Sequence, residues 1–360
     1  MAAATLLGAC AKPASAPPTP SPSPPPTPSV ADPLDGARVP PDSVRHRIAA
    51  IVVDNYPDAR PQSGLHDADI VYEVEAEGGI TRYLALFLGT PASEIGPVRS
   101  ARTYVVDLAH PYDPYFAHAG QNDDVIDVLR ELRAGGFPDM DEIQQTPAAF
   151  WRDNTRDMPH NLYTSIVRIR DVGPKSGYAD KPFDARAFLF DGGELTGPAA
   201  ASPPADAGSS PGPGRPELGP SPAVGHPPLV PETVVTFWND YDVHFVWDGA
   251  AYERFIDGQA QHDRDDDRPY EISDIVAVWI PATVLDKIGD LAMNVYGSFP
   301  ALLIRAGNVT TGRWDATGPS ALPVLVGDDG RLLSLAPGQI YIEIMPQGST
   351  VTNGKKSWSH

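Results

Sequence analysis

The chain is 360 residues long and carries 27 Lys+Arg against 47 Asp+Glu, a formal net charge of −20, with 41 Pro, 32 Gly and one Cys. Such an acidic balance argues against binding nucleic acid or an anionic lipid surface through bulk charge, and one cysteine excludes an internal disulfide framework or a multi-cysteine metal site. The 41% apolar content suffices for true cores, and the length allows about two domains.

Residues 1–10, MAAATLLGAC, end in Leu7-Gly8-Ala9-Cys10. This fits a lipobox: an aliphatic residue, two small ones, then a cysteine that is acylated and becomes the new N-terminus. The nine residues before Cys10 are too few to span a bilayer, which takes about 20. No Lys or Arg precedes Cys10, so the basic n-region of a signal peptide is missing. A start codon placed too far downstream, or a trimmed chain, accounts for that; the bland alternative is a chance cysteine in an apolar leader. Residues 11–43 read as a disordered tether. Their run PASAPPTPSPSPPPTP (13–28) cannot bury a core and favours extended polyproline II, at about 3.1 Å per residue.

An N-terminal domain is expected over 44–192. IAAIVVD (48–54) is a strand buried on both faces. DIVYEVEAEGG (69–79) and TRYLALFLG (81–89) form a hairpin about Gly78-Gly79. VRSARTYVVDLAH (98–110) predicts a helix with Pro97 at its first position, PYFAHAG (114–120) a strand, DDVIDVLRELRAGG (123–136) a helix stopped at Gly135, and NLYTSIVRIRDVG (161–173) another helix. The Pro-, Gly- and Ala-rich stretch 193–231 reads as a linker. The C-terminal domain, 232–347, offers strands at 234–238, 243–247, 251–256, 275–280, 301–305, 322–326 and 339–345. Residues 348–360 should be a frayed, flexible tail. The predicted fold class is an α/β (or α+β) N-terminal domain followed by a β-rich, mainly antiparallel C-terminal domain, with two separate cores.

The runs ARPQSGLHDADIVYEVEAEGGITRYLALF (59–87), IGPVRSAR (95–102), FAHAG (116–120) and PHNLYT (159–164) resemble the YerB-like lipoprotein family. YERFIDGQAQHD (252–263), TGRW (311–314) and LAPGQIYIEIMP (335–346) resemble it more loosely. The resemblance implies two consecutive domains of unknown function and an extracytoplasmic lipoprotein, lipid-anchored at Cys10 to the outward face of the membrane. It implies no established reaction.

Candidate chemistry is sparse. Arg99 and Arg102 flank Ser100 at an i, i+3 spacing that shares a face on a helix start, suited to phosphate or carboxylate. Equally, they can pair with Glu75, Glu77 or Asp107 as a structural network. His118 and His160, the latter followed by Asn161, are candidate bases or orienting groups; the competing readings are a satisfied core histidine and a helix-entry bond. Asp54, Glu75 and Glu77 are candidate acidic partners, bases or cation ligands. Arg99, Arg102, His118 and His160 are expected to converge on one concave surface. HDRDDDR (262–268) reads as a solvated loop rather than a calcium loop. No catalytic signature is present, and no cofactor, metal site or nucleic-acid partner is expected. The favoured reading is a membrane-anchored module that binds an anionic cell-wall component or glycopolymer. An enzyme acting on phosphate-bearing envelope polymers and a non-catalytic scaffold are the alternatives.

Overall fold

The computed structural model describes Met1 and residues 28–191, 232–238 and 241–360. Cys10, the first part of the tether and the linker 193–231 lie outside the described residues. The strands of the central sheet are β1 (Ala49–Asp54), β2 (Ile70–Glu75), β3 (Thr81–Phe87), β4 (Tyr115–His118) and β5 (Asp139–Asp141), then β6 (Asp274–Ile280), β7 (Gly297–Arg305), β8 (Asn308–Ala316), β9 (Val324–Gly327) and β10 (Ile340–Pro346). They form one ten-stranded mixed sheet in the order β9-β8-β7-β6-β10-β2-β3-β1-β4-β5.

The apolar runs dictate this arrangement. Every residue of β1, β2, β3, β6 and β10 is buried, because both faces of the sheet are covered. Along β1, Ala50 and Val52 face one core while Ala49, Ile51 and Val53 face the other, as a period of two requires. The first face is covered by α1 (Thr103–Ala109) and α2 (Asp123–Ala134). Buried Val105, Leu108, Val125 and Leu129 join Val52 and Leu84 there. The second face is covered at one end by α3 (Ile166–Lys175), whose Ser165 cap accepts from the Arg168 N–H at 3.3 Å. Elsewhere it is covered by a six-stranded antiparallel sheet carrying Val235, Val243, Phe245 and Tyr252. Gly78 and Gly79 turn β2 into β3 at φ 65° and 76°, in the left-handed region that glycine enters without strain.

The N-terminal half is thus mixed and the C-terminal half β-rich, as predicted, but they do not have separate cores. β10 pairs in parallel with both β6 and β2, with Ile340 opposite Ile70 and Ile344 opposite Val74, and both apolar clusters draw on both halves. A strand as apolar as IYIEIMP needs a neighbour on each edge and a cover on each face. Its own half supplies only one of the neighbours.

Two further expectations change. Residues 28–43 are part of the fold: Val30–Ala31 pairs with Arg38–Val39, and Leu34 is fully buried. The tail is ordered: Thr350–Asn353 pairs with Thr233–Thr236 and with Lys356–Ser359, closing the second sheet. Residues 262–268 keep an exposed, solvated stretch at 265–268 and also clasp the two halves together. Arg264 pairs with Asp153 at 2.7 Å and donates to the Tyr163 hydroxyl at 3.0 Å, while Ser63 donates to Asp265 at 3.0 Å.

Candidate functional site

β1, β2, β4, β5, β6 and β10 all run in one direction, so their carboxyl ends share one edge of the sheet. Ligands of open α/β sheets bind outside that edge. Asp54 ends β1 there. One of its carboxylate oxygens accepts from the Tyr56 N–H at 3.0 Å. The other lies 2.7 Å from His160 Nδ1 and 3.1 Å from Arg99 Nε. The Arg99 contact is an ion pair without hydrogen-bond alignment.

Arg99 does not start a helix. Its N–H donates to Val52 O at 2.9 Å and its carbonyl accepts from Ala119 N at 3.0 Å, so 97–101 is extended backbone wedged between the ends of β1 and β4. Arg102, also extended (φ −128°, ψ 154°), precedes α1. The periodicity of Val105, Leu108 and Ala109 is truly helical, whereas Val98 and Ala101 are buried by lateral pairing with Val53 and Gln121. The shared helical face expected for the two arginines is therefore absent.

Glu77 holds Arg102 and Arg82 together. It lies 2.5 Å from Arg102 Nη2 and pairs also with an Arg82 guanidinium nitrogen. Burial pushes the Glu77 carboxyl up, but the two guanidiniums outweigh it and hold it below its ordinary value. Arg82 Nη1 donates to Ser100 O at 3.2 Å and Arg102 Nη1 to Ser100 Oγ at 3.0 Å, binding the expected serine into the same group. The exposure of the arginines separates their capacities: 5% for Arg82, 9% for Arg102 and 27% for Arg99. Arg99, the most exposed of the three, has no hydrogen-bond partner for either Nη among the described residues.

Glu75 is two residues before Glu77 but faces the other side of the sheet. Trp238 Nε1 donates to one oxygen at 2.6 Å, and the second oxygen has no partner among the described residues. Burial raises the Glu75 carboxyl to about 7. Tyr104 donates its hydroxyl to the Glu75 carbonyl oxygen at 3.0 Å.

The expected convergence is partial. Arg99 and His160 meet over Asp54, with Arg102 close by through Arg82. His118 does not join them. It is fully buried, its Nε2 is 2.7 Å from Asp139 Oδ1 and its Nδ1 2.8 Å from Gly120 O, the arrangement of a satisfied core histidine. Asn161 turns away and accepts from Arg152 at 3.0 Å. His160-Asn161 opens no helix, since Leu162–Thr164 is a strand paired with Phe150–Arg152 and α3 begins only after Ser165. Sequence reasoning missed Arg82, Tyr56 and Trp238. Tyr56, 39% exposed, stacks on His160 at 5.1 Å between ring centroids. Its place two residues after the aspartate ending an apolar strand was the available signal.

Among the described residues no helix is long and apolar enough to cross a membrane. Residues 34–179 match the N-terminal domain, and 233–342 the C-terminal domain, of the family described as "Protein of unknown function (DUF3048)". The chain is 30% identical over 314 residues to the "Putative lipoprotein YerB" of Bacillus subtilis (strain 168), covering 87% of this chain and 86% of that one. It is also similar to the crystal structure of the YerB protein from Bacillus subtilis, with a TM-score of 0.71 and 28% identity over 90% of this chain and 99% of that one.

Proposed function

Because the chain belongs to the YerB-like DUF3048 family, we propose that it is a lipoprotein of the bacterial cell envelope. In this reading acylated Cys10 anchors it to the outward face of the membrane, and the edge around Arg99 binds an anionic, phosphate- or carboxylate-bearing envelope component. The observation that carries the binding is the state of Arg99. Its guanidinium is part-exposed, oriented at one nitrogen by Asp54, and otherwise unpartnered among the described residues. Guanidinium nitrogens held in this way suit the oxygens of a phosphate or carboxylate. Charge supports the same reading. Arg82, Arg99 and Arg102 meet Asp54 and Glu77, three positive groups against two negative ones, in a chain of net charge −20. His160, with Tyr56 stacked on it, borders the site and adds an aromatic face.

The test is calorimetric titration of the full soluble chain, Cys10→Ser, with inorganic pyrophosphate and with a dicarboxylate. Arg99→Ala should weaken binding by about ten- to a hundredfold, the worth of one charged hydrogen bond, while near-ultraviolet dichroism stays native. Undiminished binding by Arg99→Ala would sink the reading. The anchor is tested apart from this, by mass spectrometry of the native N-terminus; a Cys10→Ser chain still fractionating with membranes would refute it.

One observation favours a second reading, catalysis on phosphate-bearing envelope glycopolymers or lipid-linked precursors. Glu75, raised to about 7, can exchange a proton near neutral pH. Turnover lost in Glu75→Gln with pyrophosphate affinity retained would mark it.

A further inference from the structure

The segment just after the undescribed residues 2–27 carries a second cluster, remote in sequence from Arg99. The pairing of Val30–Ala31 with Arg38–Val39 closes the segment Asp32–Ala37 into a loop, with Asp32 N donating to Ala37 O at 2.8 Å and Gly36 N to Asp32 O at 2.9 Å. Asp32 and Asp35 from this loop meet Asp69, the residue before β2. One carboxylate oxygen from each lies within 4.8 Å of the others, and the three residues are 1%, 6% and 4% exposed.

Backbone N–H groups satisfy part of this cluster. Leu34 N donates to Asp32 Oδ1 at 2.8 Å, Ala37 N to Asp35 Oδ1 at 2.9 Å, and Leu88 N to Asp69 Oδ2 at 2.5 Å, with Gly89 N at 3.4 Å from the same oxygen. Asp32 Oδ2 is different. It is buried, and no donor among the described residues reaches it. It lies against Gly89, where a Cβ would stand 2.4 Å away, so the backbone comes up to this oxygen without covering it with a side chain. The nearby cation, Arg170, spends its Nη2 on Leu88 O at 3.0 Å and forms no ion pair with the cluster.

A buried carboxylate oxygen without a partner is costly. Asp35 and Asp69 bring two more carboxylates to the same buried place. Three such groups in one dry place are held either by protons or by a cation. The donor set is oxygen only, which suits a hard ion and not zinc. Calcium takes oxygens at about 2.3–2.6 Å in flexible geometry, whereas magnesium demands near-ideal octahedral geometry and keeps several waters, for which a site this buried has little room. We propose that Asp32, Asp35 and Asp69 form a calcium site that pins the loop Asp32–Ala37 to the central sheet. The site would also reach the C-terminal half, because Asp35 O accepts from Gly338 N at 2.9 Å and Asp69 O from Ile340 N at 3.1 Å, at the entry to β10.

The experiment is thermal denaturation of the full soluble chain, Cys10→Ser, stripped by a chelator and titrated with CaCl2, with MgCl2 and KCl as controls. Calcium should raise Tm saturably, with a midpoint of about 10⁻⁴–10⁻³ M, the range of extracellular calcium modules. Asp32→Asn and Asp69→Asn should each weaken the response about tenfold or more. No calcium response in the unmodified cluster would overturn the proposal. So would a full response in Asp32→Asn, which would move the ion to another acidic group such as residues 262–268. Should either variant fail to fold, Asp35→Asn and native mass spectrometry of the parent chain decide: one calcium retained per chain supports the site, and none refutes it.

Discussion

Glu73 of β2 and Arg254 of the second sheet form an ion pair although they are 181 residues apart, and neither side chain is exposed. Asn55, Thr81 and Tyr241 donate to the same carboxylate at 3.0, 2.5 and 3.0 Å. Glu343 of β10 lies beside it, and burial, reinforced by the charge of Glu73, raises the Glu343 carboxyl well above the usual range. Removing one partner leaves the other charged and desolvated. Glu73→Gln and Arg254→Met should each cost about 3–5 kcal/mol, and the double variant less than their sum. Urea unfolding of the four proteins checks this; additive losses would show that the pair is uncoupled.

The shared sheet makes the two halves interdependent. A protease site placed within residues 192–231 should allow complete cutting while the two fragments still co-elute in gel filtration, because β10 remains paired with β2 and β6. Fragments that separate without denaturant would contradict the continuous sheet.

Glu75 predicts a pH dependence. Its folded value of about 7 lies above its ordinary 4.5, so between these values the folded chain binds more protons than the unfolded one. Its contribution is therefore full below pH 4.5 and is lost as pH rises through 7. Glu75→Gln should match the parent chain in unfolding free energy from urea titration at pH 4.5 and exceed it at pH 8, by about 1–2 kcal/mol. Equal free energies at both pH values would show that the carboxyl is not held neutral.

The C-terminal hairpin is structural. Val351 is fully buried in the second core, and Asn353 Nδ2 donates to Thr233 Oγ1 at 2.8 Å. Val351→Ala should cost about 2 kcal/mol. Ending the chain at Gln347 should cost more and expose the Thr233–Thr236 edge, read as increased dye binding and a lower Tm. A truncated chain as stable as the parent would restore the frayed-tail reading.

Local pattern alone determined much of this protein. The apolar run at 48–54 read as a strand covered on both faces, 339–345 as a strand, the acid-first, Gly-stopped run at 123–136 as a helix, and the order of motifs across both halves was enough for the family. Tertiary structure decided what depends on partners distant in sequence. β10 needed β2 as its second neighbour, and that requirement merged two apparent domains into one sheet. Val98 and Ala101 fitted a helical stripe equally well, until the open edges beside β1 and β4 claimed their backbone for lateral pairing and separated Arg99 from Arg102. Arg82, Tyr56 and Trp238 carry no signature of their own, because an arginine or an aromatic gains a role only from the carboxylate or ring the fold sets beside it. His118 lost its role for the same reason: Asp139 and Gly120 satisfy both its nitrogens inside the core.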